Sequence, residues 1–199
     1  MHHALVMDSS HAVFLDRDGV LIEEREYLHR VEEIVFTPGT IAGLKRLAAA
    51  GFQLIIVTNQ SGVGRGYYTM ADVDKVHAHI LAEFARHGVS IQKIYVAPEA
   101  PDQPSRARKP SPQFLFDARN EFGIDLANSF IVGDKLIDLE CGWNAGVRKS
   151  ILVRTGYGRK TEQRNVAEMN RAIVVDDLSA AADWILTEPI AVAADVSRR

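Results

Sequence analysis

From residue 12 onward, short apolar runs alternate with amphipathic helical stretches, and this alternation constrains the fold more than any other feature of the chain. Residues 12–15, 53–57, 91–97, 129–133 and 150–154 read as buried strands, with 173–175 as a short sixth. Helical patterns fill the gaps. Thr37-Pro38 supplies an N-cap and a proline at the first helical position, and Gly51 closes that helix after Leu44, Leu47 and Ala48. Thr69 caps a second helix running to His87, with Val73, Val76, Ile80, Leu81 and Phe84 on one face. Ser111-Pro112 opens a third, closed by Gly123. Residues 136–145 form a fourth, ended by Gly146, and 179–186 form the last. Strand and helix in strict turn predict right-handed crossovers and an α/β fold, a doubly wound parallel sheet flanked by helices.

The remaining bounds follow from length and composition. A chain of 199 residues fits one domain with a buried core. We expect a flexible leader over 1–10, one domain over 11–188 and a loose tail over 189–199. A formal charge of −3 provides no field for nucleic acid or a membrane surface. The single cysteine, Cys141, excludes an intramolecular disulfide and any multi-cysteine metal site, and it reads as a small core residue. No apolar run approaches membrane-spanning length, and no signal-peptide layout is present, so a cytoplasmic location is expected. We attach no metal to His2 and His3, and we place His77, His79 and His87 on a helix surface. Trp143 and Trp184 are expected to pack helices on the sheet. A monomer or weak dimer is expected.

A doubly wound sheet gathers the C-terminal ends of its strands, so the polar residues that follow each strand belong to one site. Asp16 and Asp18 follow the first. Alternation along a strand points residues i and i+2 to one side. Two carboxylates so placed repel each other unless a cation or a proton intervenes. They suit a divalent metal with one carboxylate as nucleophile and the other as acid and base. The same Asp-Arg-Asp-Gly string also fits an Asx-rich turn in which Gly19 takes a positive φ. The second strand leads into Thr58-Asn59-Gln60-Ser61-Gly62, whose hydroxyl, amides and backbone can hold phosphate oxygens. After the third strand and an irregular stretch over 97–108, containing Pro98, Pro101 and Pro104, comes the cationic Arg106-Ala107-Arg108-Lys109. After the fourth come Asp134 and Asp138, one helical turn apart. An anionic metal site, hydroxyl and amide donors and cations are the equipment of phosphoryl transfer.

These residues resemble the haloacid dehalogenase superfamily of aspartate-nucleophile phosphatases, which have a Rossmann-like fold. Its four motifs have counterparts in Asp16 with Asp18, Thr58, Lys109, and Asp134 with Asp138. The strings FLDRDG, VTNQSGVGRG, RKP and VGDKLIDL are similar to the branch that holds the heptose 1,7-bisphosphate 7-phosphatases and the histidinol-phosphatases. The resemblance covers residues 12–156. It implies that Asp16 attacks phosphorus and that Asp18 protonates the leaving oxygen and later activates water. It implies Mg2+ held by the Asp16 and Asp134 carboxylates and the Asp18 backbone carbonyl. Thr58 and Lys109 would hold the phosphoryl oxygens, with Asp138 in support. Asn59, Gln60 and Ser61 would line the substrate side, and Arg108 would reach a second phosphate or the sugar.

Two departures from that branch stand out. The stretch before RKP has neither cysteine nor histidine where many members carry a zinc loop, so no structural zinc is expected. Val20 replaces the threonine of the common DGT string. Only residues 20–37 separate the first strand from its helix, too few for a cap domain, so a capless, open site is expected. The expected activity is a Mg2+-dependent phosphatase acting on a sugar phosphomonoester, foremost D-glycero-D-manno-heptose 1,7-bisphosphate at C7, with a small-molecule substrate and neither nucleic acid nor membrane as partner. Histidinol phosphate is the alternative substrate, favoured if Glu23, Glu24 and Glu26 fold over the pocket. A non-catalytic binding protein on the same fold is the alternative of another class.

Overall fold

A computed structural model of the chain describes residues 10–189. The expectations for the leader at 1–9, for His2 and His3, and for the tail at 190–199 lie outside the described residues. Among the described residues, six strands form one parallel sheet in the order β3-β2-β1-β4-β5-β6. They are β1 (Ala12–Leu15), β2 (Gln53–Asn59), β3 (Lys93–Ala97), β4 (Phe130–Gly133), β5 (Lys149–Val153) and β6 (Ile173–Val175). Each crossover carries helix. The segments are α1 (Thr40–Ala49), the short α2 (Ser61–Gly64), α3 (Met70–Arg86), α4 (Gln113–Phe122), α5 (Leu136–Ala145), α6 (Gly158–Arg164), α7 (Val166–Met169) and α8 (Leu178–Thr187).

Strand alternation sorts the core into two layers. Val13, Leu15, Leu54, Ile56, Phe130 and Val132 pack with α1, α3 and α8 on one face. Ala12, Phe14, Ile55, Val57 and Ile131 pack with α4 and α5 on the other. Trp184 joins the first layer, edge-on to Phe130, whereas Trp143 lies under the Arg171 guanidinium. Because β1 sits between β2 and β4, the chain runs outward in opposite directions on either side of it. The crevice between the ends of β1 and β4 is thus the switch point at which such sheets bind ligands.

Several boundaries depart from the sequence reading. Thr37 does not cap α1; its hydroxyl donates to the Val20 carbonyl and meets Thr40 Oγ1 at 2.7 Å, so Gly39, at φ 80°, takes the cap position. Strand β2 runs two residues further than expected and carries Thr58 and Asn59 itself. Helices α2, α6 and α7 were not anticipated. In α3, Leu81 is exposed and His77 is buried, the reverse of what the pattern suggested. Residues 16–39, between β1 and α1, hold only a 3-10 turn, Val31–Glu33, and isolated bridges from Ile22 to Asp18 and Phe36, with no separate lobe.

Candidate active site

Asp16 directly follows β1, and its N–H donates to the Val132 carbonyl of β4 at 3.0 Å, which fixes the nucleophile candidate at the switch point. Lys109 arrives from the far side of β2. Asn59 clamps it there: the Lys109 N–H donates to Asn59 Oδ1 (3.0 Å) and Asn59 Nδ2 donates to the Lys109 carbonyl (3.2 Å). The buried ammonium then donates to Asp16 Oδ1 at 2.6 Å and to the Val57 carbonyl at 2.8 Å, and pairs with Asp138 Oδ1 at 2.6 Å. Asp138 is oriented in turn by the Lys135 N–H, which donates to its Oδ2 at the start of α5.

Asp134, at the end of β4, is fully buried. Its Oδ2 accepts from the Tyr157 N–H at 2.7 Å, while its Oδ1 has no hydrogen-bond partner among the described residues. Gly19 (φ 88°) and Gly156 (φ 53°) crowd this carboxylate so closely that a Cβ on either would collide with Oδ2. Asp16, Asp134 and Asp138 bring carboxylate oxygens within 4.8 Å of one another. Asp16 and Asp138 share the buried Lys109 ammonium, and Asp134 has no cation paired with it among the described residues. Burial pushes Asp16 up to about 6 against the pull of Lys109, and burial together with Asp16 pushes Asp134 well above its ordinary value. A buried orphan oxygen among crowded carboxylates is what a hard divalent cation satisfies. The donor set fits Mg2+.

Asp18 is in a different environment. Arg17 Nε donates to its Oδ2 and Arg17 Nη2 to its Oδ1, both at 2.9 Å, and Gln60 Nε2 donates to Oδ2 at 2.9 Å. Burial alone would raise this carboxyl, but the Arg17 charge and these hydrogen bonds outweigh it and hold it below its ordinary value. Gln60 is saturated, since its Nε2 also donates to Thr58 Oγ1 and its Oε1 accepts from Arg17 and Tyr68. It therefore orients Asp18 and Thr58 rather than offering free donors to a substrate.

Above this floor opens a cavity of about 310 Å3. Asp16, Asp18, Asn59, Gln60, Ser61 and Lys109 reach it from the expected motifs. Thr58 and Asp134 lie beneath it. Arg108 is not in its wall; its guanidinium donates to the Glu99 carbonyl at 3.1 Å. Arg106 is outside as well, paired with Asp117. The β1–α1 segment contributes Glu24, Glu26 and Tyr27, and Lys135 joins Glu24 at 2.7 Å with its ammonium 4.8 Å from the Tyr157 ring centre.

Arg17, Lys135 and His77 escaped the sequence reading. A parity signal for Arg17 was present. It follows Val13 and Leu15 on the same side of the strand, so its guanidinium enters the layer beneath α3, where a charge must be paired. His77 likewise completes the inward spacing of Val73, Val76, Ile80 and Phe84.

Comparison with known proteins agrees with this architecture. The family model for polynucleotide kinase 3 phosphatase matches residues 11–138, and the HAD-hydrolase-like model matches 106–181. A D-glycero-alpha-D-manno-heptose-1,7-bisphosphate 7-phosphatase of Photorhabdus laumondii is 35% identical over 83% of this chain and 94% of its own. A D-glycero-beta-D-manno-heptose-1,7-bisphosphate 7-phosphatase of Yersinia pestis is 35% identical over 88% of this chain and 89% of its own. The crystal structure of the D,D-heptose 1,7-bisphosphate phosphatase of B. bronchiseptica, complexed with magnesium and phosphate, superposes with a TM-score of 0.84 at 32% identity, over 90% of this chain and 99% of that one. The chain belongs to the haloacid dehalogenase superfamily of hydrolases, in the branch of the heptose-1,7-bisphosphate phosphatases.

Proposed function

We propose that the protein is a Mg2+-dependent phosphatase that releases phosphate from a sugar phosphomonoester, D-glycero-D-manno-heptose 1,7-bisphosphate at C7, through an aspartyl-phosphate on Asp16. The observation that carries the reading is the cavity floor, where Asp16 Oδ1 lies 2.6 Å from Lys109 Nζ beside the orphaned Asp134 oxygen. The Asp16 and Asp134 carboxylates with the Asp18 backbone carbonyl would hold Mg2+, which would supply neutralising charge for the transferring group.

The residues divide the remaining work. Asp16 attacks phosphorus, and its fixed place at the end of β1 removes much of the entropic barrier. Lys109 and Thr58 hold phosphoryl oxygens; the Thr58 hydroxyl accepts from Gln60, which leaves its own proton to donate. Asp18 gives a proton to the leaving oxygen and takes one from the attacking water. Its lowered pKa suits the second task, and the incoming phosphate dianion raises it for the first. Asp138 keeps Lys109 aligned. Asn59 and Ser61 face the sugar, and Arg108 would have to leave the Glu99 carbonyl to reach the second phosphate.

A second reading rests on Glu24 and Glu26 in the cavity wall, which favour an amine-bearing substrate such as histidinol phosphate. Steady-state phosphate release with Mg2+ from both heptose anomers and from histidinol phosphate separates the two. A preference of about a hundredfold for either heptose anomer, roughly 2.7 kcal/mol in transition-state binding, supports the sugar bisphosphate. Preference for histidinol phosphate, or equally weak turnover of all three, overturns it. Asp16→Asn should lower kcat on the order of 10^4-fold, and chelation of Mg2+ should abolish turnover reversibly. Absence of release from any phosphomonoester would leave only the binding-protein reading.

A further inference from the structure

The proton-transfer candidate Asp18 is held by a network that ends outside the cavity. Both of its oxygens are engaged by the Arg17 fork, and a bidentate fork aligns a carboxylate only if the guanidinium plane is itself fixed. Arg17 is 1% exposed, and among the described residues no acidic partner other than Asp18 meets it. Its plane is set by neutral acceptors: His77 Nε2 at 3.3 Å from Nη1, and Gln60 Oε1 at 3.1 Å and the Leu28 carbonyl at 3.4 Å from Nη2.

A guanidinium carries donors only, so the Arg17 contact requires His77 to be neutral, with its lone pair on Nε2 and its proton on Nδ1. Burial and the Arg17 charge, the two forces acting against protonation, push His77 down to about 4, consistent with that tautomer. His77 does not line the cavity and touches no reacting atom. Across the network the Tyr68 hydroxyl donates to Gln60 Oε1 at 2.9 Å and so holds the other partner of Asp18.

We propose that His77 is a positioning residue for phosphoryl transfer: through Arg17 it sets the orientation of the Asp18 carboxylate, so that α3 aims the proton donor at the leaving oxygen. This rests on the reading of Asp18 as that donor. A merely structural His77 would fill the contact between α3 and the sheet, and its loss would lower the amount of folded enzyme for every substrate alike.

Leaving-group chemistry distinguishes the two. An alkoxide departs from phosphorus only with a proton, whereas p-nitrophenolate departs without one. The parameter to compare is kcat/KM, which reports only the steps up to formation of the aspartyl-phosphate and excludes the later water attack. With the full-length Mg2+-loaded protein, His77→Leu should lower kcat/KM for an alkyl sugar phosphate about 10- to 100-fold, and for p-nitrophenyl phosphate less than about threefold. His77→Gln, whose Oε1 can replace Nε2 as acceptor, should restore the alkyl rate to within about threefold of wild type. If His77→Leu does not fold, Tyr68→Phe removes a single hydroxyl at the other end of the network and must produce the same split. Equal losses on both substrates, no loss on either, or failure of His77→Gln to rescue overturns the proposal. A wild-type protein that hydrolyses neither substrate refutes the phosphatase reading instead, so the two failures are distinguishable.

Discussion

The buried Lys109 ammonium donates to Asp16 and to the Val57 carbonyl and pairs with Asp138. Burial alone would depress such an ammonium, yet the two carboxylates hold it above its ordinary value, so it stays charged through the neutral range. Removing one partner of a buried ion pair strands the other. Lys109→Met should therefore cost about 3–5 kcal/mol of unfolding free energy in urea titrations at neutral pH without metal, while also removing turnover. A loss below about 1 kcal/mol, the range of an exposed pair, would mean that water reaches these carboxylates in solution. Asp16, Asp18 and Asp134 were legible in the sequence because each follows a readable apolar run, Asp138 because it stands one helical turn beyond Asp134, and Lys109 because it closes a cationic cluster after the third strand's loop. Arg17 and Gln60 were harder to read. Their partners come from other segments, and a side chain whose hydrogen bonds are all internal looks in sequence like one that waits for a ligand.

At the level of elements, α5 carries the Asp134–Asp138 end of the site, and its approach to the sheet depends on a glycine. A Cβ on Gly142 would intrude on Ile131 of β4 and on Ser150 Oγ of β5, which donates to the Leu139 carbonyl at 2.9 Å. Helix propensity alone favours Gly142→Ala by about 1 kcal/mol. Overpacking opposes it at about 1–3 kcal/mol. The rigid sheet on one side and the Ser150 hydrogen bond on the other leave little room to shift, so packing should win. Gly142→Ala is expected to lower stability by about 1 kcal/mol in thermal or urea unfolding and to reduce turnover, because α5 moves with Asp138. An increase in stability would show that α5 relaxes away freely. Helix ends with local chemistry were readable from sequence: the Thr69 cap, which Asp72 completes as a capping box, and the closing Gly123 and Gly146, which take the left-handed conformation. Thr37 misled because its hydroxyl turns to the distant Val20 carbonyl, a contact that no local pattern encodes. Helices α6 and α7 were missed because each spans two turns or fewer and together they bury only Gly158 and Thr161, leaving no apolar stripe to detect.

The response of the whole molecule to acid is set by buried groups that titrate in opposite senses. His77 is pushed down to about 4 from 6.5 by burial and Arg17, so between those values the unfolded chain binds a proton that the folded chain refuses. Its contribution is complete above pH 6.5 and is lost as pH falls toward 4, to a limit of about 3 kcal/mol. Asp16 is pushed up to about 6 from 3.8, chiefly by burial, so in that window the folded chain binds the extra proton. Its charged form destabilises the fold above pH 6, and that cost is relieved on acidification. The two slopes oppose each other between about pH 4 and 6, which makes the metal-free wild-type curve shallower than either group alone would give. Single variants should expose each slope. Measured by urea unfolding in chelator, His77→Gln should gain stability relative to wild type as pH falls from 7 to 4.5. Asp16→Asn should lose relative stability over the same range, because it has no buried charge left to neutralise. Curves that run parallel to wild type for both variants would place the titrating groups elsewhere, and would mean that neither the imidazole under α3 nor the carboxylate at the switch point is as dry as the fold implies.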